Sequence, residues 1–188
     1  MYKHDEIINA LTALYNGKVI LYPTDTIWGL GCDATNSSAV NRIFSIKNRP
    51  DKKSMLVLVD NENMLKRYVR DVSDIAWELI EVSDRPLTII FPGARNIAPE
   101  LIGEDGSVGI RIAKDPFCQD LIKRFRKPLV STSANISGSP SPSLYNEISE
   151  EIKEAADHIV SWRQDDLQPS KASSIIKLDS SGRISVIR

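Results

Sequence analysis

The run MLVLV, Met55 to Val59, is apolar at every position. It has the length of a strand, and a strand without a polar face must be covered by packed elements on both sides. Seven further strand-length runs accompany it: VILY (19–22), LTIIF (87–91), SVGIRIA (107–113), PLVST (128–132), HIVSW (158–162), SSIIKL (173–178) and RISVIR (183–188). Apolar residues at helical spacing predict helices over 5–16, 38–47, 61–69, 72–82, 116–125 and 144–156 between these runs. Gly17 is the stop for the first helix, Ser37 or Ser38 the cap of the second, and Pro116 suits the first turn of the fifth. Helices interspersed among strands predict an α/β fold around one mixed, twisted, largely open sheet with flanking helices. No repeat or linker-like tract divides the 188 residues, so residues 1–188 are expected to form a single domain, since domains typically hold about 100–150 residues.

Twenty-four Lys and Arg against 25 Asp and Glu leave a net charge of −1, which removes a uniformly basic nucleic-acid binder. The balance says nothing about a local cluster of cations. Cys32 and Cys118 are far apart and fit no metal-ligand spacing, so they are expected to be reduced structural thiols. Asp5, Glu6 and Asn9 interrupt any signal-like apolar core at the N-terminus. No apolar run approaches the ~20 residues that span a bilayer, so a cytoplasmic location with no membrane partner is expected.

In an α/β sheet the chemistry gathers on loops beyond strand ends. The first such segment is YPTDTIWGLGCDA (22–34), read as a loop, where Thr24, Asp25 and Thr26 offer hydroxyls and a carboxylate. Gly29 and Gly31 there would allow close approach of a ligand, a positive φ, or only the shape of a polar turn. KNRPDKK (47–53) gathers Lys47, Arg49, Lys52 and Lys53 around the single acid Asp51. Pro50 disfavours helix at Arg49, so Lys47 and Arg49 can converge on one anion. A point-charge lysine beside a forked arginine suits a polyphosphate, though the same cations would also sit well at a helix C-terminus. STSANISGSPSPS (131–143) is rich in hydroxyls, with an amide at Asn135, and suits an anion or a sugar edge or simply a polar connection. Within SVGIRIA, Arg111 is either exposed at an edge, paired, or a clamp for a carboxylate. Arg188, Ser173 and Ser174 are weaker candidates of the same kind. His4 and His158 lie outside these loops, and no Ser-His-Asp or Cys-His arrangement can be assembled from them. Cations, hydroxyls and backbone amides favour positioning and charge stabilisation of phosphates over covalent catalysis.

In order and spacing, YPTDTIWGLGCDA, IFSIKNRP, GIRIA and STSANISGSPSP resemble the YrdC-like family of threonylcarbamoyl-adenylate synthases, over about residue 8 to the last. The Lys-x-Arg of Lys47 and Arg49, together with the Ser-x-Asn of Ser133 and Asn135, is the specific part of the likeness. The resemblance implies a short, single-domain member with a twisted open sheet and a concave basic face. Its implied activity is condensation of L-threonine, bicarbonate and ATP to threonylcarbamoyl-AMP and pyrophosphate, supplying threonylcarbamoyl-adenosine modification of tRNA. By position, Arg49, Lys53, Ser107, Ser133, Ser141 and Arg188 resemble the ATP contacts, with Lys47 and Asn135 completing the motifs. Thr26, Arg111, Ser131 and Ser173 resemble the threonine contacts, Arg111 being suited to the carboxylate.

Under that resemblance Lys47 and Arg49 are the expected catalytic cations, with Mg2+ accompanying ATP and no metal site in the protein. Expected partners are tRNA or RNA and the tRNA threonylcarbamoyl-transferase proteins of the pathway. The sequence departs from the family where Leu58 replaces a usual histidine, at Ser83-Asp84-Arg85, and at Ala172-Ser173-Ser174. The alternatives are an RNA-binding or ribosome-associated module on the same fold, or a paralogue with a different substrate. An aromatic content of 6% leaves few residues for base stacking in the RNA-binding case.

Overall fold

A computed structural model describes residues 4–48, 55–179 and 181–188. Arg49, Lys52 and Lys53 lie outside the described residues. The helices are α1 (His4–Tyr15), α2 (Ser37–Ile46), α3 (Glu62–Tyr68), α4 (Asp74–Val82), α5 (Pro116–Phe125) and α6 (Glu150–Ala155). The strands are β1 (Ile20–Tyr22), β2 (Gly29–Gly31), β3 (Leu56–Val59), β4 (Leu87–Phe91), β5 (Val108–Ile112), β6 (Leu129–Ser133), β7 (His158–Ile159), β8 (Ser174–Leu178) and β9 (Ile184–Val186).

All described strands join one open sheet in the order β7-β1-β2-β6-β3-β5-β4-β8-β9. It is mixed as expected. β1–β7, β3–β5 and β4–β8 are parallel, while β1–β2, β2–β6, β3–β6, β4–β5 and β8–β9 are antiparallel. β3 lies mid-sheet, and Val57, Leu58 and Val59 are fully buried, which explains the unbroken apolar run. α1 packs against α5, with the Tyr15 and Phe125 rings edge-on at 5.1 Å. Gly17, at φ 69°, closes α1 by letting Lys18 N–H reach back to the Ala13 carbonyl.

Four expectations are corrected. Residues 29–31 form β2 rather than loop, and neither Gly29 nor Gly31 is among the positive-φ residues. A Cβ at Gly31 would lie 2.5 Å from Tyr22 Cε1 and 2.7 Å from the Val130 carbonyl oxygen, so this glycine makes room for a buried ring. The helix expected over 144–156 is broken. Residues 145–147 are a 3-10 turn, Ile148 and Ser149 are extended, and α6 starts only at Glu150. Glu147 breaks it by turning its carboxylate back onto the Ser143 and Leu144 amides, at 2.7 and 3.1 Å. The cap of α2 is Asn36, whose side chain accepts from Ala39 N–H, and not Ser37 or Ser38. Strands β7 and β9 are shorter than HIVSW and RISVIR suggested.

Candidate active site

A cavity of about 260 Å³ opens over the middle of the sheet, bordered by residues on or beside β2, β3, β5, β6 and β8. Register brings its polar groups together. Ser133 lies opposite Gly29, Ser131 opposite Leu56, and Arg111 opposite Leu58. Gly29 keeps β2 low, since a Cβ there would sit 3.1 Å from the Thr132 carbonyl oxygen and 3.4 Å from Ser131 Oγ. Of the residues singled out from the sequence, Thr26, Arg111, Ser131, Ser133, Ser141, Ser173 and Arg188 line this cavity. Segments from Thr26 to Arg188, far apart in the chain, therefore meet at one place.

Arg111 is 2% exposed although it carries a charge. Its Nη2 lies 3.0 Å from Asp25 Oδ1, close enough for charge compensation. The contact is off-axis, and Arg111 Nε and Nη2, like Asp25 Oδ1, have no hydrogen-bond partner among the described residues. A buried guanidinium that borders a cavity and is not saturated by protein acceptors is a receptor for an anion, above all a carboxylate. Asp25 supplies the counter-charge that lets Arg111 be buried before any ligand arrives. Its Oδ2 accepts the Lys114 amide at 3.4 Å, which ties the loop after β1 to the end of β5.

The groups behind Arg111 are held neutral. Burial pushes the Tyr22 phenol and the Cys118 thiol well above their ordinary values. Tyr22 gives its proton to the Val130 carbonyl and Cys118 points at the Pro23 carbonyl, so neither serves as a base or nucleophile near neutral pH. Cys32 is raised in the same way and its Sγ faces the Asp33 carbonyl. Both cysteines are buried and unpaired with each other.

Lys47 occupies a different position from the one its sequence context suggested. α2 ends at Ile46, and Asn48 takes a left-handed φ of 47°, so the chain turns sharply at the basic motif. Lys47 is 2% exposed and does not line the cavity. Its Nζ donates to the Ser133 carbonyl at 2.5 Å and the Asn135 carbonyl at 2.6 Å, with Asn135 Oδ1 at 3.5 Å. The Lys47 carbonyl in turn accepts the Ser137 amide. Asn135 Nδ2 spans the same loop, donating to the Ile136 and Ser139 carbonyls. Lys47 and Asn135 thus shape the 133–139 loop from behind, while Ser133 and Ser141 face the cavity.

Ser107 stands apart from the cavity lining. Its Oγ donates to Asp105 Oδ1 at 2.6 Å, and Asp105 pairs with Lys177. These bonds hold the Asp105 carboxyl down at about 2. Arg188 reaches the cavity through β8, its Nε donating to the Ser173 carbonyl and its backbone pairing with Ile175. Sequence reasoning missed Trp28, which lines the cavity and packs on Tyr145 at 4.9 Å between ring centres. It also missed Arg163, which braces the first loop by donating to the Thr24 carbonyl at 3.1 Å while bonding Asp166. Asp166 is thereby a structural partner. Leu58, in register beside Arg111, is fully buried and is not part of the cavity lining.

The Sua5/YciO/YrdC family profile, described as telomere recombination, matches residues 12–188. A threonylcarbamoyl-AMP synthase of Pseudoalteromonas translucida is 39% identical over 70% of this chain and 72% of its own. The crystal structure of E. coli YciO superposes with a TM-score of 0.84 at 26% identity, covering 99% of this chain and 89% of that one. P. abyssi Sua5 complexed with L-threonine superposes with a TM-score of 0.84 at 25% identity and covers 97% of this chain. This chain spans only 53% of that Sua5.

Proposed function

The chain belongs to the Sua5/YciO/YrdC family, and from that membership and the geometry of the cavity we infer that it is a threonylcarbamoyl-AMP synthase. The reaction condenses L-threonine, bicarbonate and ATP to threonylcarbamoyl-AMP and pyrophosphate. The observation that carries this reading is the buried Arg111, with donors unsatisfied, in a hydroxyl-lined cavity that also holds Ser133, Ser141 and Arg188.

We assign the two ends of the cavity to the two larger substrates. Arg111 takes the threonine carboxylate, with Thr26, Ser131 and Ser173 around the amino acid. Ser133, Ser141 and Arg188 take the nucleotide, joined by Arg49 and Lys53 of the basic motif and by Ser107 at the periphery. Threonine's amine and bicarbonate give a carbamate with loss of water. A carbamate oxygen then attacks the α-phosphorus of ATP, and pyrophosphate leaves. Protein groups contribute orientation and stabilisation of developing charge, and the neutral Tyr22 and Cys118 take no proton.

Mg2+ enters as part of the nucleotide substrate. Among the described residues no group of three His, Cys, Asp or Glu side chains is placed to fix a metal ion in the protein. We assign Lys47 to holding the Ser133–Asn135 loop that receives the phosphates, and charge neutralisation at the phosphates to the arginines. The product feeds transfer of the threonylcarbamoyl group to tRNA by partner transferase proteins, in the cytoplasm where ATP is plentiful. Among the described residues no helix is long and apolar enough to cross a membrane.

Mass-spectrometric detection of threonylcarbamoyl-AMP from purified protein, ATP, L-threonine and bicarbonate tests the assignment. Product that disappears when any one substrate is left out is the expected result. Hydrolysis of ATP without adduct would overturn it.

A further inference from the structure

Two hydroxyl pairs at the edge of the cavity have directions that can be worked out from their neighbours. Thr24 Oγ1 donates its one proton to the Ile27 carbonyl at 2.8 Å. It accepts from the Thr26 amide at 3.1 Å and lies 2.9 Å from Thr26 Oγ1. With its proton already committed, Thr24 can only accept from Thr26 Oγ1, so Thr26 must be the donor of that pair. The Thr26 hydroxyl, which lines the cavity, therefore has its proton turned away and offers lone pairs inward.

The second pair runs the other way. Thr88 is 1% exposed in the apolar strand β4, and among the described residues Ser173 Oγ, at 2.9 Å, is the only partner of its hydroxyl. Were Ser173 the donor, the Thr88 proton would be buried without an acceptor, which carries a free-energy cost. Thr88 is therefore the donor. Ser173 accepts, so its own proton is left free of Thr88, and Ser173 borders the cavity.

We propose that Thr24 and Thr88, neither of which lines the cavity, fix the hydrogen-bond polarity of its amino-acid end, making Thr26 an acceptor and Ser173 a donor. A ligand must then offer an N–H toward Thr26 and an oxygen toward Ser173, beside the carboxylate-seeking Arg111. An α-amino acid has both groups on one carbon. Thr24 and Thr88 are positioning residues and touch no substrate. The inference rests on the assignment of this cavity to threonine.

The test compares Thr88→Val with Thr88→Ser, and Thr24→Val with Thr24→Ser, in threonine-dependent ATP–pyrophosphate exchange. Valine keeps the shape and removes the hydroxyl, whereas serine keeps the hydroxyl. Loss of one hydrogen bond's worth of orientation should raise the threonine KM about fivefold to tenfold in Thr88→Val, with the ATP KM within about twofold. Thr88→Ser should restore the wild-type threonine KM, and the Thr24 pair should behave alike. An unchanged threonine KM in Thr88→Val, or an equal rise in both KM values, would overturn the proposal. Absence of threonine-dependent exchange in the unmodified protein would instead sink the functional reading itself. Calorimetric binding of threonine to the same variants separates a positioning defect from a folding one: a variant that melts with the wild type yet binds threonine normally also overturns it.

Discussion

The two ends of the cavity are built differently. At the end assigned to the amino acid Thr26, Arg111, Ser131 and Ser173 are nearly wholly buried, and three of them are braced by a residue behind. Asp25 balances Arg111, Thr24 orients Thr26, and Thr88 orients Ser173. At the end assigned to the nucleotide, Ser133 closes β6 and is half-buried, while Ser141 on the following loop and Arg188 are exposed. On the assignment proposed above, the small substrate would meet a braced geometry, and the large flexible one would meet groups that can adjust around it. Preorganisation matters most where a short molecule offers few contacts to fix its orientation.

The largest effect should come from breaking the rigid end. Arg111→Met removes the carboxylate receptor and strands Asp25 as a buried lone charge. Truncating one member of a buried pair costs about 3–5 kcal/mol, which a denaturant titration should read as lost stability. Threonine-dependent exchange should fall at least about thirtyfold in kcat/KM for threonine, as losing a buried charged partner costs about 2–5 kcal/mol. The double variant Arg111→Met/Asp25→Asn should regain much of the stability and none of the activity. Recovery of activity in the double variant would contradict the assignment of Arg111.

A smaller effect is expected from Lys47→Met, which loosens the adjustable end. It leaves the Ser133 and Asn135 carbonyls without their ammonium. Bonds to charged groups contribute about 1.5–3 kcal/mol, so kcat/KM for ATP should drop about ten- to a hundredfold while threonine affinity holds. Hydrogen exchange of residues 133–139 should quicken even without nucleotide. A loop as protected as in the wild type would show that Lys47 acts on the phosphates directly.

The smallest effect lies outside both ends, at Asp105. Its folded carboxyl is depressed from 3.8 to about 2 by bonds to Lys177 and Ser107, so the unfolded chain binds more protons between those values. The stabilisation is present above about pH 4 and is lost as pH falls toward 2. The group is largely exposed, so Asp105→Asn should cost no more than about 1 kcal/mol at neutral pH, with the difference vanishing in acid. His158 slopes in the same direction at higher pH. Partial burial lowers its value, the folded chain favours the neutral ring, and stability falls as pH drops below the ordinary histidine range. His158→Gln should flatten that slope.

Much of this architecture was legible in the residues. MLVLV announced a central strand, Pro116 opened α5 behind the Asp115 cap, and the mixed sheet followed from alternating runs. β2 was not legible, because Gly-Leu-Gly carries no β-pattern and pairs only through what β1 and β6 impose on it. The break after Glu147 was hidden because a glutamate that caps backward and one that continues a helix look alike in sequence. Of the residues picked out from the sequence, Thr26, Arg111, Ser131, Ser133, Ser141, Ser173 and Arg188 line the cavity, while Thr88, behind Ser173, was not picked out. Thr88 had left a signal: a single hydroxyl inside the buried strand LTIIF must have a partner. Charge and spacing do not show which side of a loop an ammonium occupies, and the bonds from Lys47 to the Ser133 and Asn135 carbonyls are visible only in the fold.

Pyrophosphate exchange into ATP tests the central claim most directly, since it reports α-phosphorus attack by whatever the cavity activates. Exchange by the purified protein should require L-threonine and bicarbonate together, with neither sufficient alone. Exchange that proceeds at full rate with either one omitted would contradict the account of a carbamate formed at the braced end and adenylated at the other.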